Sequence, residues 1–286
     1  MSSKIFAMCQ LCRPLNGLIV LVGVALGAHL GVRGQATGWT SEDAWSTVAV
    51  GIATGLILSA GNAVNDVCDV EIDRVNRPER PLPSGRLTRR LSLFLAGALL
   101  VIGIGLATWV SRSAVLIAVG AALLLVLYAI RLKRVPIAGN LTVALLSAGA
   151  IAAGGVAVVG VTHTLVPVVL VFLFSAVREV VKDVEDLHGD THFGAETAAV
   201  RWGPRTAAML ASGFAVLGIA ASVFPFIAEW PGYGWRYILT VLLGVDAIVA
   251  ATMCWFVLCP EERVARSAQR LIKLGMVLGL LAVFVG

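Results

Sequence analysis

The sequence predicts an all-α protein that crosses a membrane many times, and three observations carry that prediction. Of the 286 residues, 58% are hydrophobic and 14% charged, with a mean hydropathy of +0.91, whereas soluble domains carry roughly 25% charged residues. Apolar runs of about the 20 residues needed to cross a hydrocarbon core recur along the whole chain. The basic residues also fall into alternate gaps between those runs. Together these exclude a water-soluble enzyme, and the high hydrophobicity excludes a disordered chain.

Reading apolar runs between charge clusters gives nine spans, at 14–32, 43–64, 91–110, 113–130, 137–160, 163–182, 205–228, 235–259 and 268–285. The first follows Arg13-Pro14 and stops before Arg33; its short, weakly basic start has no cleavage site, so it reads as an anchor. The second runs out into Asn65-Asp66. The third and fourth lie between Arg89-Arg90, Arg112 and Arg131. The fifth follows Lys133-Arg134, and the sixth ends at Lys182. Arg205, Arg236 and the Arg263–Lys273 cluster introduce the last three. Lipid offers no partner for bare backbone, so each span must be a helix; barrel strands would alternate and be half as long. No soluble domain fits between them, so residues 1–286 are expected to form one membrane domain of nine helices.

Orientation follows by counting. With a cytoplasmic N-terminus, 19 of the 22 Lys and Arg residues face the cytoplasm and only Arg33, Arg112 and Arg236 lie outside. That is a strong positive-inside bias. It accounts for the net charge of +5 without nucleic acid as a partner. The expected location is the cell membrane, with membrane lipids as neighbours; nothing in the sequence sets an oligomeric state. Five scattered cysteines are too few for a disulfide framework.

More than half of the 17 acidic residues sit in two segments, both on the cytoplasmic side. Asn62-Ala-Val-Asn65-Asp66-Val-Cys-Asp69-Val-Glu71-Ile-Asp73 leaves the second span, and Arg178-Glu179-Val-Val-Lys182-Asp183-Val-Glu185-Asp186-Leu-His188-Gly-Asp190 leaves the sixth. Asp66, Asp69 and Asp73 are spaced three then four, as are Asp183, Asp186 and Asp190. On a helix this puts each trio on one face, where like charges repel. Divalent cations offset such repulsion. Mg²⁺ takes oxygen ligands and is held by one or two carboxylates plus substrate phosphates, so two such faces opposed across a cavity would hold two ions with a diphosphate between them. The spacing match also hints at a duplication, with spans one to four corresponding to five to eight. Nearby are cations suited to a diphosphate: Asn76-Arg77-Pro78-Glu79-Arg80-Pro81-Leu82-Pro83-Ser84-Gly85, a proline-stiffened loop, and Tyr128-Ala-Ile-Arg131-Leu-Lys133-Arg134 closing the fourth span. Arginine grips phosphate in a planar fork, and lysine acts as a point charge.

These residues resemble the UbiA superfamily of intramembrane prenyltransferases. Asn65-Asp66-x-x-Asp69-x-x-x-Asp73 followed by Asn-Arg-Pro-x-Arg-Pro-Leu-Pro-Ser-Gly is similar to its first signature. Tyr128…Leu132-Lys133-Arg134…Gly139-Asn140 resembles its middle motif, and Arg178-Glu179…Lys182-Asp183-x-x-Asp186-x-x-x-Asp190…Gly194…Thr197 its second aspartate motif. The likeness runs from about Arg13 to the C-terminus. It implies a nine-helix bundle around a central cavity, and transfer of a polyprenyl group from a Mg²⁺-bound diphosphate donor to an acceptor. Carried over, Asn65, Asp69 and Asp73 would form the first catalytic metal face and Asp186 and Asp190 the second, with Asp66 and Asp183 supporting. Arg77, Arg80, Tyr128, Lys133, Arg134 and Lys182 would bind diphosphate, and Asn16 would line the acceptor cavity. Within the superfamily the two acidic stretches look most like the digeranylgeranylglyceryl phosphate synthase branch, which uses a geranylgeranyl donor and a lipid acceptor, geranylgeranylglyceryl phosphate. The alternatives are an aromatic acceptor (hydroxybenzoate, homogentisate or chlorophyllide), a membrane terpene cyclase, and a cation-coupled transporter, which would place its charges nearer the midplane.

Other signals have structural readings. Cys9-x-x-Cys12 lacks a second pair, and His188 and His192, four apart, have carboxylate neighbours better matched to Mg²⁺ than to zinc. Asp246, inside the eighth span, is expected to face the bundle with a hydrogen-bond partner. Gly23-x-x-x-Gly27, Gly51-x-x-x-Gly55 and Gly275-x-x-x-Gly279 read as close-packing motifs, and Pro167 and Pro225 as kinks.

Overall fold

A computed structural model of the chain describes residues 2–33, 38–158, 162–192 and 194–285, and every regular element among them is helical. The α-helices in chain order are α1 (Ser2–Cys12), α2 (Pro14–Arg33), α3 (Ser41–Cys68), α4 (Val70–Asn76), α5 (Arg89–Thr108), α6 (Arg112–Ile130), α7 (Ala138–Val158), α8 (Leu165–Glu185), α9 (Leu187–His192), α10 (Ala198–Trp202), α11 (Pro204–Ile227), α12 (Trp235–Thr240), α13 (Ala247–Leu258) and α14 (Glu262–Val285). A π-helical stretch, Val241–Asp246, joins α12 to α13.

Nine helices among the described residues are long and apolar enough to cross a membrane, as expected. Their ends differ where polar residues continue a helix beyond its apolar stretch. The second span extends to Cys68, taking Asn65 and Asp66 into the helix, and the sixth to Glu185. The ninth starts at Glu262 and not at 268, because Glu262, Arg263 and Arg266 occupy its first turns. Helix α1 was not expected. At 11 residues it is too short for a span, and Arg13, at φ +51°, separates it from α2. Trp39, Trp45, Trp109, Trp230 and Trp235 are exposed at the helix ends opposite the basic clusters, where amphipathic rings sit at a membrane interface. Leu116, Leu123, Val101 and Val216 are exposed along the spans, as residues that face lipid would be.

The chain divides into two compact units, Met1–Leu132 with Gly149–Thr164, and Lys133–Ala148 with Leu165–Gly286. In the first, α3 packs against α2, α5 and α6 through small side chains. Ala53, Ala60, Ala63, Ala96, Ala107, Ala114, Ala118 and Ala122 are all buried. Between membrane helices there is little hydrophobic driving force, so small residues that let backbones approach take its place. Helix α2 and the second half of α7 approach closely: a Cβ on Gly27 would lie 2.0 Å from the Ile151 carbonyl oxygen, and one on Gly154 2.0 Å from that of Val24. The Gly23/Gly27 reading therefore holds. In the second motif Gly51 packs on Leu21, but a Cβ on Gly55 would meet nothing within 4 Å. Thr40 and Asp43 form a reciprocal capping box at the start of α3, while Thr88 and Ser111 cap α5 and α6.

In the second unit, Val177, Val180, Val181 and Val184 of α8 pack with Ala207, Ala208 and Ala211 of α11 and Ala265, Ala268 and Ile272 of α14. The Gly275/Gly279 pair makes only ordinary contacts with Val249 and Val245. Asp246 is buried and accepts hydrogen bonds from the Ser222 hydroxyl at 2.9 and 3.2 Å, while the Tyr237 hydroxyl donates to the Ser222 carbonyl at 2.8 Å. The inward, hydrogen-bonded reading of Asp246 is borne out. The kink reading of Pro167 is not: Pro167 falls in the first turn of α8, where its missing N–H has no helical partner to lose.

Candidate active site

The two acidic segments share one local architecture. In each, the aspartate trio begins in the last turn of a long span and crosses a break into a short helix, from α3 to α4 and from α8 to α9. The middle aspartate sits at the break. Backbone bonds carry the helical stride through it: Asp69 N–H to Asn65 O (3.0 Å), Asp73 N–H to Asp69 O (2.8 Å), Asp186 N–H to Lys182 O (2.9 Å) and Asp190 N–H to Asp186 O (2.9 Å). The three-then-four spacing therefore keeps its meaning, with each trio presented along one continuous local face.

In the first unit, Asp66 and Asp73 are buried and already compensated. Arg80 Nη1 donates to Asp73 Oδ2 at 2.7 Å and lies 3.5 Å from Asp66 Oδ1. The Arg13 guanidinium bonds the same Asp66 oxygen and reaches Asn62 Oδ1 at 3.4 Å. Asn65 Nδ2 donates to Asp69 Oδ2 at 3.0 Å, and Asp69 is half-buried. Arg80 is placed by its loop, which is pinned by buried Leu82 and Leu87 and by the Leu87 N–H bond to the Pro81 carbonyl at 3.0 Å. Gly85 turns that loop at φ +74°, a conformation glycine adopts without strain. Arg77 is exposed, and Tyr128 is half-buried in the last turn of α6. Asn16 is exposed in the first turn of α2; among the described residues no hydrogen bond joins it to the aspartates.

In the second unit, Asp183 is fully engaged by structure. Its Oδ1 accepts from Asn140 Nδ2 at 3.1 Å and its Oδ2 from the Ala198 N–H at 3.3 Å, at the start of α10. Asp186 is exposed, with the Lys182 ammonium 3.3 Å away. Asp190 is half-buried. Burial pushes its carboxyl above the ordinary value and the Asp186 carboxylate adds to this, while the Thr197 hydroxyl and Lys182 act against it. Lys133 is half-buried and Arg134 exposed in the 3-10 turn Leu132–Arg134. Glu185 faces away from this chemistry and accepts from Gln269 Nε2 at 2.8 Å. His188 pairs with Glu262 of α14.

Among the described residues no three His, Cys, Asp or Glu side chains converge closely enough to hold a metal ion alone. Mg²⁺ does not require that, since it keeps waters and takes substrate phosphates as ligands. The donors at both breaks are amide and carboxylate oxygens, the hard ligands it prefers, and the set fits. Sequence reasoning did not assign Arg13, Asn62 or Asn140 to the site. Asn140 lay within the recognised middle motif and Arg13 beside Pro14, so position was the available signal.

The sequence pattern of the UbiA prenyltransferase family matches residues 18–277. The digeranylgeranylglyceryl phosphate synthase of Methanopyrus kandleri is 32% identical over 276 residues, covering 96% of this chain and 97% of the relative. That of Pyrococcus abyssi is 34% identical over 288 positions, covering 99% and 98%. A solved structure from work on digeranylgeranylglyceryl phosphate synthase in membranes superposes with a TM-score of 0.88 at 28% identity, over 100% of this chain and 99% of that one. A UbiA homologue from Archaeoglobus fulgidus, solved with DMAPP and Mg²⁺, shares the fold with a TM-score of 0.71 at 17% identity, over 98% and 99% of the two chains.

Proposed function

Because the chain belongs to the UbiA prenyltransferase family, we propose that it moves a geranylgeranyl group from its diphosphate to geranylgeranylglyceryl phosphate. The C–O bond to the diphosphate breaks, an ether bond forms to the acceptor hydroxyl oxygen, and pyrophosphate and the hydroxyl proton leave. One observation carries the reading: the same aspartate trio, astride the same kind of helix break, occurs twice with basic residues beside it. The proposal takes residues 1–286 as one catalytic domain, with the N-terminus and both acidic segments cytoplasmic, as the distribution of basic residues supports.

In this reading Asn65, Asp69 and Asp73 hold one Mg²⁺ and Asp186 and Asp190 another, with Asp66 and Asp183 supporting. When bound, Mg²⁺ neutralises the diphosphate and makes it a better leaving group. Arg77, Arg80, Tyr128, Lys133, Arg134 and Lys182 supply cationic and hydroxyl donors to the diphosphate oxygens, where charge develops as the bond breaks. Asn16, on α2, contacts the acceptor. The apolar spans bury the prenyl tail, at about 0.8 kcal/mol per CH₂, and keep water from the allylic cation.

The test is purified protein in lipid with Mg²⁺ and geranylgeranyl diphosphate, given geranylgeranylglyceryl phosphate in one arm and hydroxybenzoate with homogentisate in another. Mass spectrometry reads the product. A doubly prenylated glyceryl phosphate is expected. An aromatic product overturns the acceptor assignment, and pyrophosphate release with neither product redirects the reading to cyclisation.

A further inference from the structure

We propose that Arg13, outside both aspartate motifs, is a positioning residue for the first of them; the role rests on the prenyltransfer reading above. Arg13 sits at the one-residue break between α1 and α2 with φ +51°, a left-handed conformation that costs a non-glycine residue free energy and persists only where its surroundings fix it. Both sides of that junction are fixed. Ala7 and Leu11 of α1 are buried with Val70 of α4 and Leu82 and Leu87 of the basic loop, and the guanidinium is bonded to Asp66 and Asn62, one turn apart on α3.

Charges then alternate through four side chains: Arg13, Asp66, Arg80, Asp73. Asp66 is 4% exposed and receives both arginines on one oxygen. A buried carboxylate must be compensated. With Arg13 present, Asp66 needs little from Arg80, which stays 3.5 Å away and gives its short 2.7 Å bond to Asp73. Without Arg13, Arg80 becomes the remaining cation for Asp66 and is drawn off Asp73. Arg13 thus acts through Asp66 and Arg80 on the carboxylate at the end of the first metal face.

The experiment is a double-mutant cycle with Arg13→Gln, Asp66→Asn and the double variant, with Arg13→Lys alongside. Each purified protein is melted without metal and across a Mg²⁺ titration, and donor KM and kcat are measured. Arg13→Gln is expected to lower the metal-free melting temperature and to raise the Mg²⁺ concentration for half-maximal thermal stabilisation about tenfold, the usual scale for residues behind a metal ligand. Arg13→Lys, which keeps the charge but loses the fork, should fall between Arg13→Gln and wild type. The double variant should be no worse than Asp66→Asn, because the two residues act as one unit. A wild-type Mg²⁺ requirement in Arg13→Gln, or additive losses in the double variant, overturns the role. Should Arg13→Gln not fold, a wild-type Mg²⁺ requirement in Arg13→Lys overturns it instead. Wild-type protein with neither a Mg²⁺-dependent shift nor turnover would bring down the prenyltransfer reading itself.

Discussion

Asp183 belongs to the second acidic trio by spacing, yet its geometry predicts that its loss acts first on stability. Replacing it with alanine removes the acceptor for the Ala198 N–H at the start of α10, and a lost helix-capping acceptor costs about 1 kcal/mol. It also strands the amide of Asn140, itself 8% exposed, and an unsatisfied buried donor costs about 1–3 kcal/mol. Asp183→Ala should therefore lose about 2–4 kcal/mol. Asp183→Asn, which keeps one acceptor and turns an N–H₂ toward the other donor, should lose about half of that. Equilibrium unfolding in mixed detergent micelles without metal gives both values. The order wild type, Asn, Ala is the expected result. An Asp183→Ala protein as stable as wild type would refute the assignment of Asp183 to structure and return it to the metal ligands.

Three further outcomes are expected. Asp69→Asn should nearly abolish turnover while leaving the melting temperature within a degree or two of wild type, about what a surface change gives; product formation over a Mg²⁺ series checks it. Gly27→Val should prevent α2 from reaching α7, since its Cβ would sit 2.0 Å from a carbonyl oxygen, whereas Gly55→Ala should melt like wild type or slightly higher; thermal melts compare them. Asp190 is held above its ordinary pKa, chiefly by burial. The folded chain therefore keeps that proton to higher pH than the unfolded chain, and metal-free stability falls as pH rises from the ordinary carboxylate value through the raised one. Asp190→Asn should accordingly stabilise the metal-free protein at neutral pH, with the advantage vanishing in acid; melts across pH 3–8 at about half-unit steps measure it.

The spans were legible because lipid imposes a length and a polarity that composition cannot hide. Their polar ends were not, because a helix stops at a cap and not where hydropathy falls. Asn65, Asp66 and Glu185 continue helices, and Thr40, Thr88 and Ser111 set starts. The aspartate trios were legible because spacing on a helix is geometry. What spacing could not assign was each carboxylate's partner: Arg80 and Arg13 for Asp66, Asn140 and Ala198 for Asp183. Those partners come from distant positions, and pairwise contact leaves no local pattern in one sequence. Helix α1 escaped for a related reason, since its buried Ala7 and Leu11 define no periodicity until their packing surface is known.

The π-helical stretch Val241–Asp246 has a consequence for the shape of the eighth span. Tyr237, Val241, Val245, Val249 and Met253 are all buried, a strict stride of four. An α-helix turns about 3.6 residues per revolution, so such a stride creeps round the cylinder by about 40° at each step and would carry its later members out toward lipid. The wider turn takes up the surplus and brings the row back into line. The span behaves as a helix that has accommodated an added residue at one place, and Phe256, near its far end, still points inward with no solvent exposure.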